Sequence, residues 1–214
     1  MEIFVDSCDI SLIRELKKIG LVQGITTNPS LIAAAQIDIN KFIEEVSLIL
    51  EDNISIQVIS NSYYAMLEEA LNLAQINSKI VVKLPLTYDG LKVCYQLREK
   101  DIRTNLTLCF SPSQALIAAK AGASYISLFI GRMDDVGHFG IDLVGECVAM
   151  FENYPEIHSQ ILVASIRNPI HIIESAKLGA DVVTVSPEIL FKMIEHPLTE
   201  KGLEKFLNDS RKFK

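Results

Sequence analysis

The stretch TNLTLCFSPSQALIAAKAGASYISLFI, residues 104–130, contains one complete β–α–β unit and sets the reading of the whole chain. Thr104–Phe110 is a short run of β-branched and apolar residues. Ser111-Pro112 offers a helix cap followed by a proline suited to the first turn, and Ser113–Ala121 carries apolar residues at helical spacing. Gly122 ends that helix before a second apolar run, Tyr125–Ile130. Alternation of this kind indicates a parallel sheet covered by helices.

Working outward, six further runs have the same character: Glu2–Asp6, Gly24–Thr27, Ile54–Ser60, Ile80–Leu86, Ile161–Ile166 and Asp181–Ser186. Eight strands predict closure into a barrel, an α/β fold of the (β/α)8 TIM type. The intervening helices have recognisable ends. Ser7 or Asp9 opens Ile10–Ile19, Ser62 opens Tyr63–Ile76, and Asn168-Pro169 opens Ile170–Leu178 before Gly179. Asn28–Ala35 reads as an extra helix ahead of Asn40–Leu50, and Gly131–Gly140 as the longest loop. No linker or composition shift marks a second domain, so residues 1–198 are expected to form the barrel and 199–214 a C-terminal helical arm of the same domain.

Composition narrows the function. The 214 residues are 49% apolar with no Trp, which suits a globular protein with an aliphatic core, and a net charge of −7 argues against nucleic acid as a partner. No apolar stretch is long enough for a membrane span. Cys8, Cys94, Cys109 and Cys147 lie far apart without a signal peptide, which fits reduced thiols in a cytoplasmic chain. The four histidines lack zinc-ligand spacing, so no metal is expected.

Lys83, in the run Val81-Val82-Lys83-Leu84, carries the most pointed chemistry. Burial disfavours an ammonium, and the neutral amine that results is a nucleophile able to form an imine with a ketone. From the strand alone, an ordinary lysine pointing outward between helices is equally open. Asp6, Asn28, Gln57, Thr107, Ser127, Ser165 and Arg167 fall at or just beyond the ends of other runs, where a closed barrel would bring them to one mouth. Each also has a structural alternative: Asp6 and Asn28 as helix caps, Thr107 and Ser127 as core hydroxyls, Arg132 and Arg167 as solvated surface charges.

Over its whole length the sequence resembles the small transaldolases and the related fructose-6-phosphate aldolases. The resemblance rests on IFVDS at Asp6, GITTNPS at Asn28, SIQV at Gln57, VVKLPLTYDGL at Lys83, FIGRMDD at Arg132 and ASIRNPIH at Ser165 and Arg167. It implies that Lys83 is the Schiff-base lysine and Asp6 the acid–base carboxylate. Gln57 and Thr107 would hold a catalytic water, and Asn28 and Ser127 the hydroxyls of a bound dihydroxyacetone unit. Thr27 and Phe129 are placed with the substrate-binding group, and Arg132, Ser165 and Arg167 match the phosphate-binding residues. No cofactor is implied, because the imine nitrogen is the electron sink.

Two positions pull apart. Phe129 matches the transaldolases, where the aldolases carry Tyr, and a phenyl ring cannot help a proton reach the enamine. Gln57 matches the aldolases, where transaldolases usually carry Glu, and an amide cannot accept a proton from water. Phe129 bears on the fate of the enamine, so the expectation is a transaldolase acting on sugar phosphates in the pentose phosphate pathway. Fructose-6-phosphate aldolase and a non-catalytic sugar-phosphate-binding barrel are the alternatives. The resemblance further implies a homo-oligomer, pentamer or decamer, with Thr199–Phe213 as the arm that reaches a neighbour.

Overall fold

Eight parallel strands close into a barrel in chain order, β1 pairing with both β2 and β8, in the computed structural model of the chain, which describes residues 1–213. The strands are β1 (Glu2–Asp6), β2 (Gly24–Thr26), β3 (Ile54–Gln57), β4 (Ile80–Pro85), β5 (Thr104–Cys109), β6 (Tyr125–Phe129), β7 (Gln160–Ala164) and β8 (Val182–Val185). The helices are α1 (Ile10–Lys18), α2 (Pro29–Ala35), α3 (Ile39–Ser47), α4 (Tyr63–Ile76), α5 (Tyr88–Arg98) and α6 (Pro112–Ala121). They continue as α7 (Ile130–Asp134), α8 (Gly140–Glu152), α9 (Pro169–Leu178), α10 (Pro187–Lys192) and α11 (Pro197–Ser210). The fold is the expected single-domain (β/α)8 barrel with an extra C-terminal helix.

Alternation along each strand sorts its side chains between two cores. Val5, Ile25, Val82, Leu84, Leu106 and Val163 join the cluster beneath the helices, with Ile13, Leu16, Ile43 and Leu97 packing from the helix side. Phe4, Val81, Tyr125, Leu162 and Val182 form a separate cluster inside the barrel, where the Phe4 and Tyr125 rings meet edge to face at 5.7 Å. Burying each large aliphatic side chain is worth about 1.5–3 kcal/mol, which holds the strands in the register that places the functional residues.

Most of the expected caps form, although Ser62 stands at the start of α4 without a side-chain cap bond. Asp9 Oδ1 accepts from the backbone N–H of Ser11 and Leu12, and Ser111 and Asn168 accept at the starts of α6 and α9. Gly122 and Gly179 end those helices at φ +87°, a conformation that costs glycine nothing.

Three expectations need correction. In the run Ile54–Ser60 the strand ends at Gln57 and the last bond to β4 is from the Val58 N–H to the Lys83 carbonyl at 3.0 Å; the N–H groups of Ile59 and Ser60 turn to the Glu69 carboxylate at 2.9 Å each. The stretch Gly131–Gly140 is not all loop, since β6 passes directly into α7 without a capping side chain to announce the start. The C-terminal helix begins at Pro197, capped by His196 Nδ1, rather than at Thr199.

Candidate active site

Parallel register brings Gln57 beside Lys83 and Lys83 beside Asn105 at the carboxyl end of the barrel. The apolar cluster closes the interior below, and above it the inward positions turn polar: Asp6, Thr26, Lys83, Asn105, Ser127 and Thr184. A cavity of about 450 Å³ opens there, lined by Asp6, Asn28, Lys83, Phe129, Arg132, Ser165 and Arg167 among the expected residues. A second hollow of about 530 Å³ lies at the opposite end near Arg103 and Tyr125 and holds none of them.

Lys83 points inward and is only 4% exposed, which excludes the surface lysine. Its Nζ donates to the Thr27 carbonyl at 2.9 Å, fixing the amine at the cavity floor. Burial pulls its pKa down to about 8; the negative Asp6 opposes the fall and the positive Arg132 adds to it. At pH 7 about one amine in ten is then neutral, against roughly one in three thousand for a solvated lysine. Burial likewise pushes the Asp6 carboxyl up, while Lys83 and a 2.8 Å hydrogen bond donated by Thr26 restrain it. Asp6 caps no helix: its partner is the next strand. Thr26 also shares a 2.7 Å hydroxyl contact with Thr184 across the cavity floor.

Asn28 caps a helix and also faces the cavity. Its Oδ1 accepts from the Leu31 N–H at 3.0 Å to cap α2, and the residue lines the cavity. Ser127 does not line the opening. It is buried, and its hydroxyl donates to Asn105 Oδ1 at 2.7 Å, while Asn105 Nδ2 donates to Ser55 Oγ at 3.0 Å. Thr27 also stays out of the cavity: its hydroxyl bonds the Ser55 carbonyl, and it contributes the backbone carbonyl that holds Lys83. Thr107 is fully buried and its hydroxyl has no partner among the described residues. The next residue, Leu108, takes φ +63° in a bulge that shifts the β5–β6 register, a device that re-aims side chains beside functional sites.

At the rim, the Arg132 guanidinium lies 5.1 Å from the centroid of the Phe129 ring, which meets Phe110 edge on. Arg167 donates to Asp135 at 2.7 Å, and Ser165, just past β7, adopts φ +60°. For a serine this left-handed backbone costs on the order of 1 kcal/mol and is characteristic of built sites. Two cations and a hydroxyl on one rim suit a dianion such as a phosphate.

Sequence reasoning missed Asn105, Ser55, Thr26 and Thr184, the hydrogen-bonded floor around Lys83. Strand alternation carried a signal for Asn105, which precedes Thr107 by two residues and shares its face. Nothing local marked Thr184, whose partner Thr26 lies 158 residues away.

Comparison with known proteins gives the family. The family model described as Transaldolase/Fructose-6-phosphate aldolase matches residues 3–214. A probable transaldolase of Nitrosopumilus maritimus is 46% identical over 214 residues, covering 100% of this chain and 96% of its own. Probable transaldolases of Caldicellulosiruptor saccharolyticus and Bartonella bacilliformis are 48% and 49% identical over 99% and 98% of this chain, and over 98% and 96% of their own lengths. With identity at this level over the full barrel, and a buried lysine at its carboxyl mouth, the chain belongs to the transaldolase/fructose-6-phosphate aldolase family.

Proposed function

We propose that the protein is a transaldolase that moves a dihydroxyacetone unit between sugar phosphates through an imine on Lys83. The observation that carries this reading is the inward-facing Lys83 amine, at a pKa of about 8, with Asp6 beside it and Arg132, Ser165 and Arg167 on the rim above. Lys83 attacks the ketone carbon of fructose 6-phosphate, and water leaves to give the imine. Asp6 takes the proton of the C4 hydroxyl as the C3–C4 bond breaks, and the bonding pair moves to the imine nitrogen as an enamine. Glyceraldehyde 3-phosphate departs. The enamine attacks the aldehyde of erythrose 4-phosphate, and hydrolysis frees sedoheptulose 7-phosphate and the lysine. Run backwards, the same steps start from sedoheptulose 7-phosphate, as the pentose phosphate pathway requires.

Thr107 supports the hydration steps, because a buried hydroxyl without a protein partner costs about 1–3 kcal/mol unless water satisfies it. Gln57, in register beside Lys83, favours a second reading, fructose-6-phosphate aldolase, in which the enamine is protonated and free dihydroxyacetone leaves. Phe129 weighs against it, since its ring offers no proton to the enamine.

The two are separated by supplying fructose 6-phosphate alone and then with erythrose 4-phosphate. Transfer predicts sustained glyceraldehyde 3-phosphate release only with the acceptor; turnover without one would replace it by the aldolase reading. Borohydride added with fructose 6-phosphate should leave a stable secondary amine on Lys83, and an unmodified lysine at saturation would leave only a binding barrel. The assembly belongs to the same reading: α11 buries no residue against its own barrel and exposes Leu203, Phe206 and Leu207, an apolar face suited to a second copy of the chain.

A further inference from the structure

The rim arginines sit on separate elements, Arg132 within α7 and Arg167 in the turn between β7 and α9, and neither element alone fixes the distance between them. Two side-chain links join them: the exposed Arg167–Asp135 ion pair at 2.7 Å, and a more buried imidazole. His171, on α9 with a side chain only 15% exposed, has Nε2 at 3.2 Å from Asp134 Oδ2 on α7. Its Nδ1 accepts the backbone N–H of Arg167 at 3.4 Å. An Nδ1 that accepts must be unprotonated, so in the neutral ring the proton sits on Nε2 and points at Asp134. The second Asp134 oxygen accepts from Gly140 N–H at 2.9 Å, which ties the start of α8 into the same link. The two elements also meet at backbone contact, since a Cβ on Gly131 would come within 2.0 Å of the Ser165 carbonyl oxygen.

We propose that His171, through Asp134, is a positioning residue that sets the spacing of Arg132 and Arg167 and thereby the affinity of the mouth for a phosphate dianion. The inference rests on the reading of the cavity as a sugar-phosphate site. Imine chemistry at Lys83 lies outside the link, because none of the hydrogen bonds that hold Lys83, Asp6, Asn105 or Ser127 passes through it. A ligand without phosphate should therefore be indifferent to His171, and one with phosphate should not.

The test compares His171→Ala and His171→Gln with the parent protein in three measurements: calorimetric affinity for inorganic phosphate, KM for fructose 6-phosphate, and borohydride trapping of unphosphorylated dihydroxyacetone on Lys83. Loss of a bridging hydrogen bond to a charged group should weaken phosphate binding and raise KM about tenfold in the alanine variant. Dihydroxyacetone trapping should stay at the parent level. The glutamine amide can donate to Asp134 and accept from Arg167, and should recover most of the loss. Unchanged phosphate affinity, an equal fall in dihydroxyacetone trapping, or a glutamine variant as weak as alanine would each overturn the assignment. If the parent itself forms no adduct on Lys83, the transfer reading fails, while the phosphate comparison still decides the link.

Discussion

At the scale of the residue, Lys83 concentrates the conflict between folding and chemistry. Its amine is buried where charge is penalised, and the same penalty favours the neutral form that the proposed nucleophile requires. Because burial lowers the pKa to about 8, the rate of adduct formation under borohydride should rise about tenfold per unit as pH approaches 8 and level off above it. A profile that keeps climbing to pH 10 would show an ordinary amine. Lys83→Met should abolish the adduct and lower turnover by roughly three orders of magnitude or more, yet unfold no earlier than the parent, because it removes a buried ionisable group in favour of an apolar one. Gln57 stands in register with Lys83, and in the proposed mechanism its amide orients water without taking its proton. Gln57→Glu should therefore speed imine formation, by about tenfold or more in a single-turnover measurement. Residue type and strand position marked Lys83 as a candidate nucleophile and no more, and the role proposed for Gln57 comes from the family resemblance; Asn105 went unmarked, since its importance lies in what it touches, Ser127 and Ser55 on two other strands.

At the scale of the element, the rim depends on contacts between pieces that look unremarkable one at a time. The segment after β6 reads as a glycine-bearing loop, but it opens with α7, which packs so closely on the turn after β7 that Gly131 has no room for a Cβ. Gly131→Ala should cost about 1–3 kcal/mol in a denaturant melt through overpacking, and should raise KM for sugar phosphates more than it lowers kcat, because the displaced elements carry Arg132 and Arg167. A loss confined to kcat would mean that the strain reaches Lys83 instead. Caps such as Asp9, Ser111 and Asn168 were readable because the side chain and the N–H it accepts from lie two or three residues apart. The end of β3 was not, because the group that draws its backbone away from pairing is Glu69, on α4.

At the scale of the whole molecule, α11 is the element that the barrel does not explain. Its apolar residues face solvent, and a chain ending near Pro197 keeps all eight strands. Such a truncation should remain folded by circular dichroism and sediment as a smaller species than the full chain; an unchanged sedimentation coefficient would count against the arm as an assembly device.

Period and punctuation alone determined the repeated β–α units, the count of eight strands, and the inventory of residues at their ends, because these depend on neighbours within a few positions. Tertiary structure decided which way Lys83 points and what its amine meets. It also put Thr27 to use through its carbonyl rather than its side chain, linked Ser127 through Asn105, and joined the elements of the two rim arginines through the Arg167–Asp135 pair and His171. Each of these depends on barrel closure and strand register, which bring together groups tens to more than a hundred residues apart and so leave no mark in local sequence.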